Sequence, residues 1–419
     1  MTILDTVVVG AGQAGLGVSY FLQQNGRKHI IFEQERIGES WLSQRWDSFT
    51  LNTPNAMNVL PGLQYDGPEP DGFWRPDELV HYFQRYVERF QLPVRTGVTV
   101  VSVEQCEDEG HFIVNIESNG QRENPVMCRS VVIASGGQQT PKFPATRFRL
   151  PDDILQLHTA NFHNGAALPP GAIVVVGSAQ SGCQIAEDLL SAGRTVYLCT
   201  SKVGRVPRRY RGRDIFEWLL DTKFFDVTFA SLKDEAISRA PQPQVSGVGR
   251  FGHTVSLQYL ARQGAEILGR LLDVEGNHLI LNDDAAAHVH FADDFSQLIK
   301  DNIDAYLLRS GIALPPLEED PADLPDPQAE CVSTLRRLDL REAKVSTVIW
   351  ATGFTSDFSW IHLPVLDAEG RPIYQRGISP VRGLYFIGFP WLSSRKSGII
   401  YGINEDAHYI ADAISEQLA

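Results

Sequence analysis

The chain carries two glycine-rich turns, each set between a run of branched apolar residues and a helical pattern. The first reads Val7-Val8-Val9-Gly10-Ala11-Gly12-Gln13-Ala14-Gly15, and the second Val174-Val175-Val176-Gly177-Ser178-Ala179-Gln180-Ser181-Gly182. An unbroken valine and isoleucine run of this length suits a parallel strand buried on both faces. In a G-x-G-x-x-G turn the first glycine makes the tight bend and the second lets the backbone approach a pyrophosphate. The third allows close helix–strand packing, and the helix N-terminus meets the anion. Two such units in one chain predict an α/β protein with two Rossmann-like domains, holding two dinucleotides between which a hydride can pass.

At 419 residues the chain is too long for one core and fits two or three domains. A net charge of −14 argues against a nucleic-acid partner, which needs cationic surface. Five cysteines, none in a C-x-x-C pair, fit reduced thiols better than a disulfide framework or a zinc site. No apolar run reaches membrane-spanning length, and the apolar start lacks the basic residues of a signal peptide. The expectation is a cytoplasmic protein with no membrane and no metal; a homo-oligomer is compatible with the sequence.

Short apolar runs ending in glycine recur at 6–10, 131–137, 173–177, 347–353 and 384–388, and read as buried parallel strands. Residues 15–24, 77–90 and 182–192 read as helices, while 97–104 and 111–117 alternate like antiparallel strands. Residues 313–330, with five prolines and many acids, read as an irregular surface or interdomain loop. The economical layout inserts the second nucleotide domain into the first. The expected boundaries are 1–165 and 335–419 for the first domain and 166–334 for the second.

An acidic residue is expected to close the second strand and take the ribose hydroxyls, and Glu33 in His29-Ile30-Ile31-Phe32-Glu33 does so. After the second turn, Thr195-Val196-Tyr197-Leu198-Cys199 ends in Thr200-Ser201-Lys202 instead of an acid. A hydroxyl and a cation there suit a ribose 2′-phosphate, so Ser201 and Lys202 favour NADPH over NADH. Ala179 replaces the middle glycine, and its methyl is expected to push the pyrophosphate back or alter the turn. Arg205, Arg208, Arg209, Arg211 and Arg213 crowd one short segment, read as anion recognition with Arg208 on the cofactor.

Together these segments resemble the class B flavin-containing monooxygenases nearly end to end. The likeness runs through Gly10–Gly15, Gly38-Glu39-Ser40-Trp41, Ala134-Ser135-Gly136-Gly137, Gly177–Gly182, Ala351-Thr352-Gly353-Phe354, residues 384–388 and Arg395-Lys396-Ser397-Gly398. The resemblance implies FAD at the first turn and NADPH at the second, with a small organic substrate and O2. Its cofactor contacts would include Gln13, Ala14, Trp41, Arg45, Val103, Ser135, Gly136, Ala351, Thr352, Gly353, Gly388 and Gly398, beside the turn residues. Asn52, in Leu51-Asn52-Thr53, falls where such enzymes place an active-site asparagine. There oxygen adds to reduced flavin at C4a, and a non-titrating amide can hold that group without draining its proton. The family's Phe-x-Gly-x-x-x-His linker is missing as such, with His158 the residue nearest to filling its histidine, so no subclass follows.

Two rivals share these turns. A disulfide reductase needs a redox-active cysteine pair, which the sequence lacks. An NADPH oxidase or flavin reductase would keep every cofactor motif and release hydrogen peroxide. His288-Val289-His290 between acids reads as a short strand rather than a metal site, and Ser178 and Ser181 have no base nearby. Trp391 fits either core or pocket wall.

Overall fold

The computed structural model describes residues 3–106 and 110–418. The first apolar run forms the strand Leu4–Val9, in which Val7 and Val8 are fully removed from solvent. It pairs in parallel with His29–Glu33 on one side and Val126–Ile133 on the other. The short strand Leu384–Phe386 joins Val126–Ile133, also in parallel. The tail thus returns to the first domain after the whole second domain has been made. Its helix Ile403–Gln417 seals the return against the first-turn helix Gln13–Gln24. The approach is close, because a Cβ on Gly17 would lie 2.5 Å from Ile403 Cγ2.

The alternating segments form an antiparallel meander, Val98–Gln105 with Phe112–Ser118 and the latter with Val126–Ile133. The helix Pro76–Phe90 starts as its sequence signal requires, with Glu78 accepting from the Arg75 N–H at 2.8 Å.

The second domain has a five-stranded parallel sheet in the order Glu266–Leu268, Val196–Cys199, Ala172–Val176, Val345–Trp350, Leu155–His158. Two of these strands lie outside the expected 166–334. Leu155–His158 precedes it and Val345–Trp350 follows it, so sheet membership moves both expected domain edges outward. The reason is topological, since the turn after Ala172–Val176 needs a parallel neighbour on each side to form its crevice, and Val345–Trp350 supplies one.

The pair His288 and His290 sits in the 25-residue helix Ala285–Arg309, not in a strand. Val289, Ala292, Ser296, Ile299, Ile303 and Leu307 are buried at helical spacing. That longer period outweighs the local His-Val-His alternation.

The proline-rich stretch 313–330 has no helix or strand, as expected, yet an ionic latch fastens it. Arg205, itself buried, bonds Asp293 at 2.7 Å and also Asp323 of that loop, which Lys300 contacts too. Substituting Arg205→Met leaves two poorly exposed carboxylates with too little positive charge. Breaking a buried pair from one side costs about 3–5 kcal/mol, so the urea midpoint should fall clearly and loop 313–330 should become open to proteolysis. A variant with wild-type midpoint and proteolysis would show that the latch does not hold the loop.

Candidate active site

The two turns superimpose in their hydrogen bonding. The Gly10 N–H donates to Phe32 O at 2.8 Å and the Gly177 N–H to Cys199 O at 2.9 Å. On the other flank Ala134 N–H donates to Val9 O and Ala351 N–H to Val176 O, both at 2.9 Å. A Cβ on Gly15 would fall 1.9 Å from Gly10 O, and one on Gly182 1.9 Å from Gly177 O, so both positions admit only glycine. A Cβ on Gly12 would meet nothing within 4 Å, which leaves room there for a bound group.

Ala179 does not distort the second turn. Its φ and ψ are −74° and −176°, close to −86° and −172° at Gly12. An extended backbone of that kind suits any residue. The expected change of turn is therefore not found, and at this position the two turns differ by the methyl alone.

Both turns open into one cavity of about 1930 Å³. A single small-molecule site usually measures roughly 300–1,000 Å³, so this space exceeds one ligand. Gly10, Gly12, Gln13 and Ala14 line it from the first turn, and Gly177, Gln180, Ser181 and Gly182 from the second. Between them, Ser135 and Gly136 follow one central strand, and Ala351, Thr352 and Gly353 follow its counterpart. Gly388 and Gly398 of the returning tail complete the wall. Gln139 Nε2 steadies the first of these loops by donating to Ser135 Oγ at 3.0 Å and Gly136 O at 2.9 Å. The linker 351–353 is pinned by His158, whose Nδ1 accepts from Ala160 N–H and whose Nε2 therefore donates to Gly353 O at 2.8 Å. Burial lowers the pKa of His158, which favours this neutral form.

Glu33 lines the cavity where the ribose acid belongs. Its carboxylate accepts from Ala11 N–H at 2.8 Å and Glu35 N–H at 3.1 Å, while burial raises its pKa. Trp41 is tied to the first turn through Nε1 donating to Gln13 Oε1 at 3.1 Å. The Arg45 guanidinium sits 5.1 Å from the Trp41 ring and 5.3 Å from Phe49. It donates to Gln44 O and Gln138 Oε1 and meets no carboxylate among the described residues, and burial pushes its pKa down to about 10. An unpaired cation beside the first turn is what a pyrophosphate needs.

Asn52 also lines the cavity. Its Oδ1 accepts from Gln184 Nε2 at 3.1 Å, and its carbonyl oxygen accepts from Arg208 Nη1 at 2.7 Å. Among the described residues, Nδ2 has no partner. The neighbouring turn does not recruit this side chain, because Asn55 bonds Glu69 O and the Trp74 N–H, and Asn58 bonds Thr53.

Five expected contacts lie off the cavity wall. Gly15 and Ser178 act behind the turns, Ser178 Oγ accepting from the N–H of Ser201, which does line the space. Val103 is fully buried in the core, and Val100 and Val101 line the cavity in its place because a bulge follows Val100. Lys202 is exposed, with Nζ 4.6 Å from the Phe291 ring. Arg208 is buried against Asp214 and supports Asn52. The arginine segment as a whole is not an anion site. Arg205, Arg208, Arg211 and Arg213 are each paired to acids, and Arg209 bonds the carbonyls of Phe251 and Gly252.

Three residues at the site escaped the sequence reading. Gln184 orients Asn52. Arg270 lines the cavity next to Ser201's strand, just past Glu266–Leu268, a strand too short to announce itself. Arg395 lines the far wall, and only its place in the tail motif marked it. Trp391 is core, 4% exposed and absent from the wall.

All five cysteines are free. Cys199 lines the cavity, but burial raises its thiol pKa to about 12, and burial raises that of Cys183 as well. Neither is a thiolate poised for disulfide exchange. Among the described residues no group of His, Cys, Asp and Glu is arranged to hold a metal, and no helix is long and apolar enough to cross a membrane.

Residues 7–212 match the pyridine nucleotide-disulphide oxidoreductase family. The oxidoreductase CzcO of Bacillus subtilis is 32% identical over 409 residues, 97% of each chain. A probable indole-3-pyruvate monooxygenase of Arabidopsis thaliana is 28% identical over 220 residues, 50% of this chain and 49% of its own. Among solved structures, a flavin-containing monooxygenase from Stenotrophomonas maltophilia superposes over 100% of both chains with a TM-score of 0.66 at 17% identity. OTEMO in complex with FAD and NADP superposes over 99% of this chain and 85% of its own, with a TM-score of 0.55 at 14% identity. The structures share the fold, and the end-to-end likeness to CzcO carries the kinship: the chain belongs to the CzcO-like oxidoreductases.

Proposed function

We propose that the protein is an FAD- and NADPH-dependent monooxygenase of a small organic molecule, with O2 as co-substrate. The observation that carries this reading is a single cavity that contains both dinucleotide turns and an asparagine with an unpaired amide donor. The residues fit the two groups. The first turn, Glu33, Trp41 and Arg45 would hold FAD, and the second turn with Ser201 would hold NADPH. Bound FAD supplies hydride acceptance from NADPH and activation of O2 for transfer of one oxygen atom.

The chain's own share is positioning and proton control. Asn52 Oδ1 is committed to Gln184 and its carbonyl to Arg208, so rotation of the side chain is restrained and Nδ2 faces its task as a donor. An amide does not titrate, so it can hold an oxygen atom without yielding a proton across the working pH range. The Arg208–Asp214 pair fixes the main chain under it. The room beyond the two turns favours oxygen transfer to a substrate over simple release of peroxide.

Removing an oriented donor of this kind costs about 10²–10³ in the step it assists. Asn52→Ala should therefore keep FAD and NADPH oxidation while product per NADPH collapses and hydrogen peroxide rises to match. Unchanged coupling would remove Asn52 from the mechanism. Gln184→Ala should lower coupling less, because it frees the Asn52 side chain without deleting it. The two measurements together are peroxide yield and NADPH consumption on a panel of candidate substrates.

Arg270 lines the cavity wall and Lys202 does not. The Arg270 ion pair with Asp284, at 3.8 Å and largely exposed, is loose enough to yield to a 2′-phosphate, which makes Arg270 the better reader. Arg270→Ala should cut the NADPH-over-NADH preference in kcat/KM by about 10-fold, the order of one charge-assisted phosphate contact. Lys202→Ala should change it by less than about 2-fold on the same reasoning. The reverse ranking would restore Lys202 to the role its sequence position implies.

A further inference from the structure

Beyond the two turns the cavity continues into a chamber walled by Phe216, Leu219, Phe224, Phe225, Val245 and Ile399. One charged group lines this part of the wall from the tail segment: Arg395. Its guanidinium lies 4.2 Å from the Phe224 ring and 4.7 Å from Trp391. Its side chain makes no hydrogen bond and no ion pair among the described residues, and Nε is buried without a partner. Burial lowers its pKa, though a guanidinium remains charged. Aromatic faces offset part of the lost hydration but provide no acceptor for five N–H donors.

We propose that Arg395 anchors the substrate, and that the substrate is an apolar, preferably aromatic, molecule bearing a carboxylate. This rests on the assignment of the two turns to FAD and NADPH, because those seats supply their own anion contacts and leave Arg395 unused. The phosphate seats lie at the helix starts after Gly12 and Ala179, with Arg45 tied to the first through Trp41 and Gln13. Arg395 belongs instead to the aromatic wall.

Behind that wall, Arg208 connects it to the candidate catalytic amide. Arg208, which holds the Asn52 carbonyl, lies 5.4 Å from the Phe216 ring. Phe216 stacks on Phe225 at 5.6 Å, and Phe225 meets Phe224 edge-on at 5.6 Å. A flat apolar body lying along these rings would have one end at Arg395, in the same cavity that Asn52 lines.

The charge balance selects a carboxylate over a phosphate. The neighbouring cation, Lys396, is already bound to Asp226 and Glu405 at 3.0 and 2.6 Å. One unpaired guanidinium therefore faces the chamber, and it neutralises a monoanion with a two-point, planar match. A dianion would keep a second, uncompensated charge against apolar walls, which is costly.

The test is calorimetric titration of the FAD-loaded, NADP⁺-saturated, oxidised protein with 3-phenylpropanoate and its uncharged counterpart, 3-phenylpropanamide. The wild type should bind the carboxylate at least 10-fold more tightly than the amide. Arg395→Gln should erase that difference, and Arg395→Lys should keep part of it, with visible flavin absorbance and melting midpoint confirming that each variant is folded and loaded. Equal affinity for both probes, binding of neither, or a difference that survives in Arg395→Gln overturns the proposal. So does a loss of FAD or NADP⁺ affinity with the preference for the carboxylate intact, which would give Arg395 to a cofactor. Because no turnover is involved, these results stand apart from the coupling experiment. Failure of the monooxygenase reading would appear there as absent flavin colour or absent oxygen transfer.

Discussion

The constraint on which the rest of this fold depends lies between a glycine and the carbonyl just past the strand beside it. A Cβ on Gly10 would lie 2.6 Å from Ala134 O, and a Cβ on Gly177 would lie 2.5 Å from Ala351 O. Both glycines also hold φ above +100°, where side chains are strained. The bare backbone lets the chain leave the end of its strand, cross the edge of its neighbour and begin a helix within three residues. The helix N-terminus then points into the crevice between two parallel strands. Once each turn is built this way, the position of an anion is determined, and so is the side on which the adjoining loops must gather.

Charge pairing sorts the remaining residues. The chain is acidic overall, and its acids find Arg205, Arg208, Arg211 and Arg213 before any ligand can. Arg205 and Arg208 become internal struts. Arg45 and Arg395, by contrast, sit on the cavity wall among aromatic rings and pair with no carboxylate among the described residues. A half-buried cation without a counter-charge is less well solvated than one in water, and an arriving anion offsets that loss. The distribution of partners, more than the distribution of arginines, marks where ligands bind.

Much of this was legible in the sequence. The buried strands, the two turns, Glu33, the antiparallel meander and the return of the tail all follow from short-range signals: apolar runs, glycine spacing and alternation. The departures have a common cause. Lys202 and Arg208 were judged by position in the chain, but side-chain direction depends on partners far away, such as Phe291 for one and Asp214 with Asn52 for the other. Val103 was displaced by a bulge that one strand's sequence does not announce. Gln184 and Arg270 carry no motif at all, and they matter only because folding sets one against Asn52 and the other on the cavity wall that Ser201 also lines. His288-Val289-His290 shows the opposite error, where three residues of alternation were outweighed by seven turns of helical burial.

The candidate catalytic amide belongs to neither domain alone. Asn52 is supplied by the first domain, yet Gln184 and Arg208, which restrain it, come from the second. The same boundary is crossed by Thr50 Oγ1 bonding Gly249 O, by the Phe73 N–H bonding Arg250 O, and by Arg250 bonding Glu69. A helix and two loops of the second domain therefore grip residues 50–73 of the first, and they do so around the residue that needs a fixed orientation. A loop tip held only by its own backbone would sample several rotamers and spend much of its donor on water. Here the docking of the domains removes that freedom in advance, so that shielding of the reaction and alignment of the amide are consequences of one contact surface.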